Sequence, residues 1–388
     1  MIKRVDSRHF LKELLFAQSE PVVIVDALVE WQIATRWSPH YLSEALKERS
    51  TEVTISRDSH FGCNPGLDTS TTPAFSRSEM DFAAASRAIL ANIAGPSCYV
   101  MQQSIPERFP ELMHNLVIPE WVPDKGTISL NLWFGCGTRT PLHYDNANNY
   151  FAQVYGEKHF VIFSPHDSKY LYPFEIQTPT PHLSQVDVGA PDLRNHEQFA
   201  NAAALEFTVS QGEVLFLPAF WWHYVRAKEV SISVSMWWPP RSDQIIASPN
   251  AVRGLYCAYD EDRLARFKKR CLEPDGLDLL GAARLLLLHD RTWGACILAL
   301  AAFDEYVRNT GLYNERSPGC ALRDLQADMV SVCGRIGTVR NLAPWQVDLL
   351  RALPDIAARA AHGNDTLFDV TEVGAVIDSL SRLDSESL

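Results

Sequence analysis

The chain has 388 residues, and 35 lysines and arginines against 47 aspartates and glutamates give it a net charge of −12. Apolar residues make up 46% and charged residues 21%, which is enough to bury a core and excludes wholesale disorder. At roughly 150 residues per domain the length predicts two domains or one large one, and the acidity argues against a general nucleic-acid partner and favours cationic ones. The opening MIKRVDSRHFLKELLFAQ lacks the continuous apolar core and cleavage site of a signal peptide. The longest apolar run, GACILALAAF from Gly294, is shorter than the roughly 18–20 residues that span a bilayer, so no membrane association is expected. Eight cysteines without a CxxC pair fit reduced thiols in a cytoplasmic protein.

In chain order, Arg8 to Ala17 has helical apolar spacing, and PVVIVDAL from Pro21 reads as a short buried strand. WSPHYLSEALK from Trp37 reads as a helix with Ser38 as its cap and Pro39 at its first position. A Ser-, Thr-, Gly- and Pro-rich loop follows around Asp58 to Ser76. From Ser97 come SCYVMQQS, TISLNLWFG, YFAQVYG, KHFVIFSP, LEFTVSQ, GEVLFLP, WWHYVRA and VSISVSMWW, short β-branched and aromatic runs divided by turn residues. Such a series predicts an antiparallel sandwich or barrel, with a jelly roll or cupin as the natural candidate. His166 to Ala203 interrupts it with a segment the size of a functional loop. Beyond Pro240 the strand signals stop. Leu279–Leu288, Trp293 to Val307, Val347 to Leu353 and Val370 to Leu380 have the spacing of helices. The expected division is an N-terminal mixed α/β cap (1–96), a β core (97–242) and an all-α region (243–388) that forms a homodimer interface or a lid.

Chemistry concentrates in Thr140-Pro141-Leu142-His143-Tyr144-Asp145. Residues two apart on a strand share a face, so His143 and Asp145 converge, and His223 offers a third ligand. Two histidines and a carboxylate are the facial set that holds non-haem Fe(II) with positions left open. The triplet alone is equally compatible with a turn His and Asp meeting local hydrogen bonds beside a buried histidine. Lys158, 13 residues after Asp145, decides between them. It opens KHFVIFSP, on a strand expected to pair with YFAQVY, and its side chain can point inside the barrel. A buried lysine needs an anion, and the distal carboxylate of 2-oxoglutarate would supply one, with Thr140 and a tyrosine hydroxyl adding hydrogen bonds.

TPLHYDNANNYFAQVYGEKHFVIFSP, SQVDVGAPDL and GEVLFLPAFWWHYVRAKEVSISVSMWW resemble the jumonji-C (cupin-like) 2-oxoglutarate oxygenases, most closely the asparaginyl and arginyl protein hydroxylases. The resemblance runs from about Tyr99 to Trp238. It implies that His143, Asp145 and His223 bind iron and that Lys158 binds the far carboxylate of 2-oxoglutarate, assisted by Thr140, Tyr99 and Asn149. Ser235 falls where relatives place a small polar residue near the cosubstrate. His182, Gln185 and Trp237 are candidate substrate contacts. The asparaginyl branch has an Arg-Gln pair before Ser-Gln-Val-Asp, whereas here His182-Leu183 precede Ser184.

The reading is therefore an Fe(II)-, 2-oxoglutarate- and O2-dependent hydroxylase of a protein or peptide side chain, with an arginine-type, cationic substrate favoured. The alternatives are a small-molecule or free amino-acid hydroxylase, an N-methyl-lysine demethylase, and an inactive cupin that serves as a binding scaffold.

Overall fold

The computed structural model describes residues 1–7, 20–29, 31–57, 59, 61, 75–91, 96–118, 128–174, 180, 182–241, 244, 248, 250, 265, 268–272, 276–288, 292–309, 351, 353 and 370–385. Among these the strands are β1 (Lys3–Val5), β2 (Val22–Ile24), β3 (Ser50–Ser56), β4 (Phe75–Asp81) and β5 (Ser97–Ser104). They continue as β6 (Ser129–Cys136), β7 (Arg139–Tyr144), β8 (Asn148–Tyr155) and β9 (Lys158–Phe163). Last come β10 (Leu205–Val209), β11 (Val214–Leu217), β12 (Trp222–Arg226) and β13 (Val230–Trp238).

The strands form a nine-stranded sheet, β1-β2-β11-β8-β13-β6-β5-β3-β4, and a four-stranded sheet, β10-β9-β12-β7. The fold is the mainly β, double-stranded β-helix of a cupin, with helices around it, as expected. All eight runs from Ser97 onward are strands. Period two explains the layering: on β13, Ile232, Val234, Met236 and Trp238 join one apolar cluster, while Ser231, Ser233, Ser235 and Trp237 face the other way. That cluster takes in Leu28, Ile33, Trp37 and Leu42 from the N-terminal part of the chain and Phe82, Ala85 and Ile89 from helix Phe82–Leu90. The nine-stranded sheet is thus covered on one face by helices. A second cluster, with Phe151, Phe160, Ile162, Phe207 and Leu217, joins residues of both sheets.

The capped helix spans Pro39–Ala45, and Ser38 Oγ accepts from Tyr41 N at 3.1 Å. The helix expected at Arg8 to Ala17 lies outside the described residues, as does most of the loop around Asp58 to Ser76. One pairing differs from expectation. β9 does not pair with β8 but lies in the other sheet, between β10 and β12. Gly156 explains it: with φ +68°, and with the Val230 carbonyl where a Cβ would stand, it turns the chain from one sheet to the other instead of closing a hairpin.

Residues 241–388, with 175–179, form a second compact unit. Its longer described helices are Leu279–Leu288, Thr292–Asn309 and Val370–Ser385. They bury Ala282, Leu286, Leu298, Phe303, Val376 and Ile377, and Arg284 pairs with Asp378 at 2.9 Å. The helix expected from Val347 to Leu353 falls almost wholly outside the described residues. Among the described residues no helix is long and apolar enough to cross a membrane.

Candidate metal centre and its cavity

β7 and β12 are antiparallel neighbours, and His143 stands directly opposite His223. That register brings the two imidazole rings to 4.1 Å between centroids. Asp145 lies just past the end of β7, and its carbonyl accepts from Phe220 N at 2.8 Å, which ties it to the approach to β12. One ligand atom from each of His143, Asp145 and His223 lies within 4.8 Å of the others.

Hydrogen bonding fixes the tautomers. His143 Nδ1 lies 2.8 Å from Pro141 O and His223 Nδ1 lies 3.0 Å from Trp221 O. A carbonyl only accepts, so each Nδ1 carries the proton and each Nε2 presents a lone pair inward. Those nitrogens stand 3.9 and 3.6 Å from the Asp145 oxygens, too far for good hydrogen bonds. Burial, and then the neighbouring His223, hold the His143 pKa well below its usual value, which keeps the imidazole neutral. Two lone pairs and a carboxylate facing one point with no proton between them suit a divalent cation. The donor set, nitrogen and oxygen without sulfur, suits Fe(II).

Lys158 is buried in the same cavity, of about 250 Å³. Its Nζ donates to Tyr99 Oη at 3.1 Å and lies 5.2, 5.5 and 5.8 Å from the ring centres of Phe151, Tyr99 and Trp133. It has no carboxylate partner among the described residues, and burial lowers its pKa to about 7. Thr138 also hydrogen-bonds the Tyr99 hydroxyl. Thr140 and Asn149 line the cavity too, and Asn149 Oδ1 is buried without a partner among the described residues.

Of the expected substrate contacts, His182 and Trp237 line the cavity, and Trp237 Nε1 is likewise buried and unpaired among the described residues. Gln185 is not among the lining residues; its side-chain amide donates to Pro173 O at 3.3 Å. Ser235 is not among them either, and its Oγ accepts from Trp133 Nε1 at 2.8 Å. Sequence reasoning misses Trp133, Gln102 and Leu183, which also line the cavity. Gln102 sits at an irregularity in the β5–β6 pairing with φ +52°, a left-handed conformation uncommon for a residue with a side chain. Leu183 bridges to His143 beside β7, a placement that only the position of SQVDVGAPDL hints at.

Fold and site together define a jelly-roll protein with a two-histidine, one-carboxylate cluster and a buried lysine in one cavity. The model of the cupin-like domain family matches residues 7–244, and the chain belongs to that family. The kinship with jumonji-C proteins indicated by its motifs holds. Lysine-specific demethylase 8 of Xenopus tropicalis is 32% identical over 235 residues, 59% of this chain and 50% of that protein. Lysine-specific demethylase JMJ30 of Arabidopsis thaliana is 32% identical over 249 residues, 61% of this chain and 55% of that one. The human bifunctional peptidase and (3S)-lysyl hydroxylase JMJD7 is 28% identical over 268 residues, 61% of this chain and 82% of that one. The matched stretch spans about half the length of the first two relatives.

Proposed function

We propose that the chain is an Fe(II)- and 2-oxoglutarate-dependent oxygenase that hydroxylates a side chain of a protein or peptide. The observation that carries this is the pairing, in one cavity, of the His143/Asp145/His223 cluster with Lys158, whose ammonium has no anion among the described residues. Held by those three ligands, iron would supply oxidative decarboxylation of 2-oxoglutarate to succinate and CO2, with one oxygen of O2 entering a substrate C–H bond. The chain's own part is positioning. Lys158 would pair with the far carboxylate of 2-oxoglutarate, and Tyr99, Thr140 and Asn149 would add hydrogen bonds. Asn149 would do so by donating from its side-chain amide N–H, and the aromatic walls keep water away.

An arginine-type substrate is favoured by the net charge of −12 and by the aromatic lining of Trp133, Trp237 and Phe61, on which a guanidinium can stack. The second reading is oxidative demethylation of an N-methyl-lysine, supported by the names of two relatives. The test is a peptide array incubated with the protein, Fe(II) and 2-oxoglutarate and read by mass spectrometry. A product heavier by one oxygen atom is expected. Formaldehyde release would favour demethylation instead, and 2-oxoglutarate left unconsumed with every peptide would overturn the oxygenase reading. Cytoplasmic placement and a homodimer through the C-terminal helices belong to the same proposal; exposed Leu285 and Leu288 on helix Leu279–Leu288 support the dimer.

A further inference from the structure

Two chain connections meet beside the metal ligands. One, residues 145–147, leads from β7 to β8 and begins with Asp145. The other, residues 218–221, leads from β11 to β12 and ends two residues before His223. Each passes from one sheet to the other. The ladder that sets His143 against His223 ends at the Tyr144–Trp222 pair and does not reach Asp145. Strand register therefore places the two histidines, and something else must place the carboxylate.

The backbone of the second connection does so. Phe220 N donates to Asp145 O at 2.8 Å, and Ala219 N donates to Asn148 Oδ1 at 3.1 Å. Both ends of the first connection are thus stitched to the second. The next carbonyl along, Trp221 O, accepts from His223 Nδ1 at 3.0 Å and orients that ring. One turn bears on two of the three ligands. It is not a relaxed turn. Phe220 has φ +70°, and of the four described non-glycine residues with positive φ it alone is buried. A bulky side chain persists in that conformation only where its surroundings impose it. Burial supplies the constraint here, since Phe220 is 4% and Asn148 3% exposed. Asn148 Nδ2 also reaches Pro239 O, at 3.4 Å, beyond the end of β13.

We propose that Phe220 and Asn148 are positioning residues of the metal centre: the left-handed turn at Phe220, seated on Asn148, holds Asp145 and His223 at the spacing one divalent cation requires. Neither side chain is a ligand. Phe220 acts through its own N–H and the Trp221 carbonyl, and Asn148 acts through Ala219. The inference rests on His143, Asp145 and His223 being the ligands and adds the element that fixes their geometry. The buried ring pins the turn, which a glycine would adopt freely but not hold.

The test is titration of Mn(II) into the full-length protein, read by electron paramagnetic resonance, with melting curves to confirm folding. Phe220→Ala should weaken binding by about tenfold to a hundredfold, the usual scale for groups that orient metal ligands. Phe220→Gly loses the same ring but takes the left-handed turn without penalty, so it should recover at least about fivefold of that loss. Asn148→Ala, on the other connection, should weaken binding by about tenfold and keeps the test decisive if the Phe220 variants fail to fold. Wild-type Mn(II) affinity in folded Phe220→Ala and Asn148→Ala would overturn the proposal, whatever their melting temperatures. Phe220→Gly binding no tighter than Phe220→Ala would overturn the part assigned to the left-handed turn and reduce Phe220 to a packing residue. A wild type that binds no Mn(II), or a His143→Ala variant that binds it as tightly, would instead overturn the metal reading on which the proposal rests.

Discussion

Replacing Lys158 by methionine separates the cost of its charge from the volume of its stem. The residue is 2% exposed, and burial takes its pKa from 10.5 to about 7. At about 1.36 kcal/mol per pH unit, the buried charged form costs on the order of 4–5 kcal/mol relative to water. Between about pH 7 and 10.5 the unfolded chain binds more protons than the folded one, so stability rises with pH across that window. Below the window the cost is felt in full. Lys158→Met should therefore raise the melting temperature of ligand-free protein, and raise it more at about pH 6 than at about pH 9. A bound carboxylate reverses the sign, because it favours the ammonium. Binding then takes up a proton above about pH 7, and affinity for 2-oxoglutarate should fall by up to about tenfold per pH unit beyond it. Calorimetry with Mn(II) in place of iron reads both effects. The variant should bind about a hundredfold more weakly at about pH 6.5, as expected when one partner of a buried pair is removed, and should lose the slope. A wild-type profile as flat as the variant's, or a variant less stable than wild type at low pH, would refute the reasoning.

Tyr99→Phe removes the hydroxyl that meets Lys158 and Thr138. It should weaken 2-oxoglutarate binding by about fivefold to thirtyfold while Mn(II) affinity, read by electron paramagnetic resonance, stays unchanged. Gly156→Ala drives a Cβ against the Val230 carbonyl at a φ of +68°. A loss of at least about 2 kcal/mol should appear as a lower urea midpoint. Sedimentation equilibrium should give a dimer mass for the wild type and a monomer mass for Leu288→Lys, which puts a charge on the exposed leucine assigned to the interface; a wild-type monomer would remove the dimer.

The legible parts of the fold are those written in local periodicity. VSISVSMWW alternates apolar and small residues, and β13 has that alternation in space. Residue type and spacing pick out His143 and His223, because a strand register converts spacing into proximity. The edge strand β4 gives no such signal. FSRSEMD is exposed along nearly its whole length and carries the charges of an edge, so it has no buried face to betray it. The sheet change at Gly156 is hidden because a glycine-acid pair after a strand is also the signature of a hairpin. Ser235 shows a further limit. Its position in the last strand is legible, but what its hydroxyl meets depends on the side chain opposite and not on the pattern.

That hydroxyl links the sheet's alternation to the cavity that holds Lys158. Ser235 is fully buried, and its Oγ holds Trp133 Nε1 at 2.8 Å. The Trp133 ring in turn forms part of the aromatic wall around the Lys158 ammonium, 5.8 Å away. Ser235→Ala leaves the indole N–H without its acceptor, a loss of about 1–3 kcal/mol if no water replaces it. The ring would be freed to turn, and the wall would no longer hold the ammonium in one place. The expected signature is a KM for 2-oxoglutarate raised several-fold with kcat little changed, because the serine acts through the ring and does not touch the reacting atoms. A variant that melts earlier but keeps the wild-type KM would reduce Ser235 to a packing residue and leave Trp133 held by its contacts with Tyr99 and Trp237.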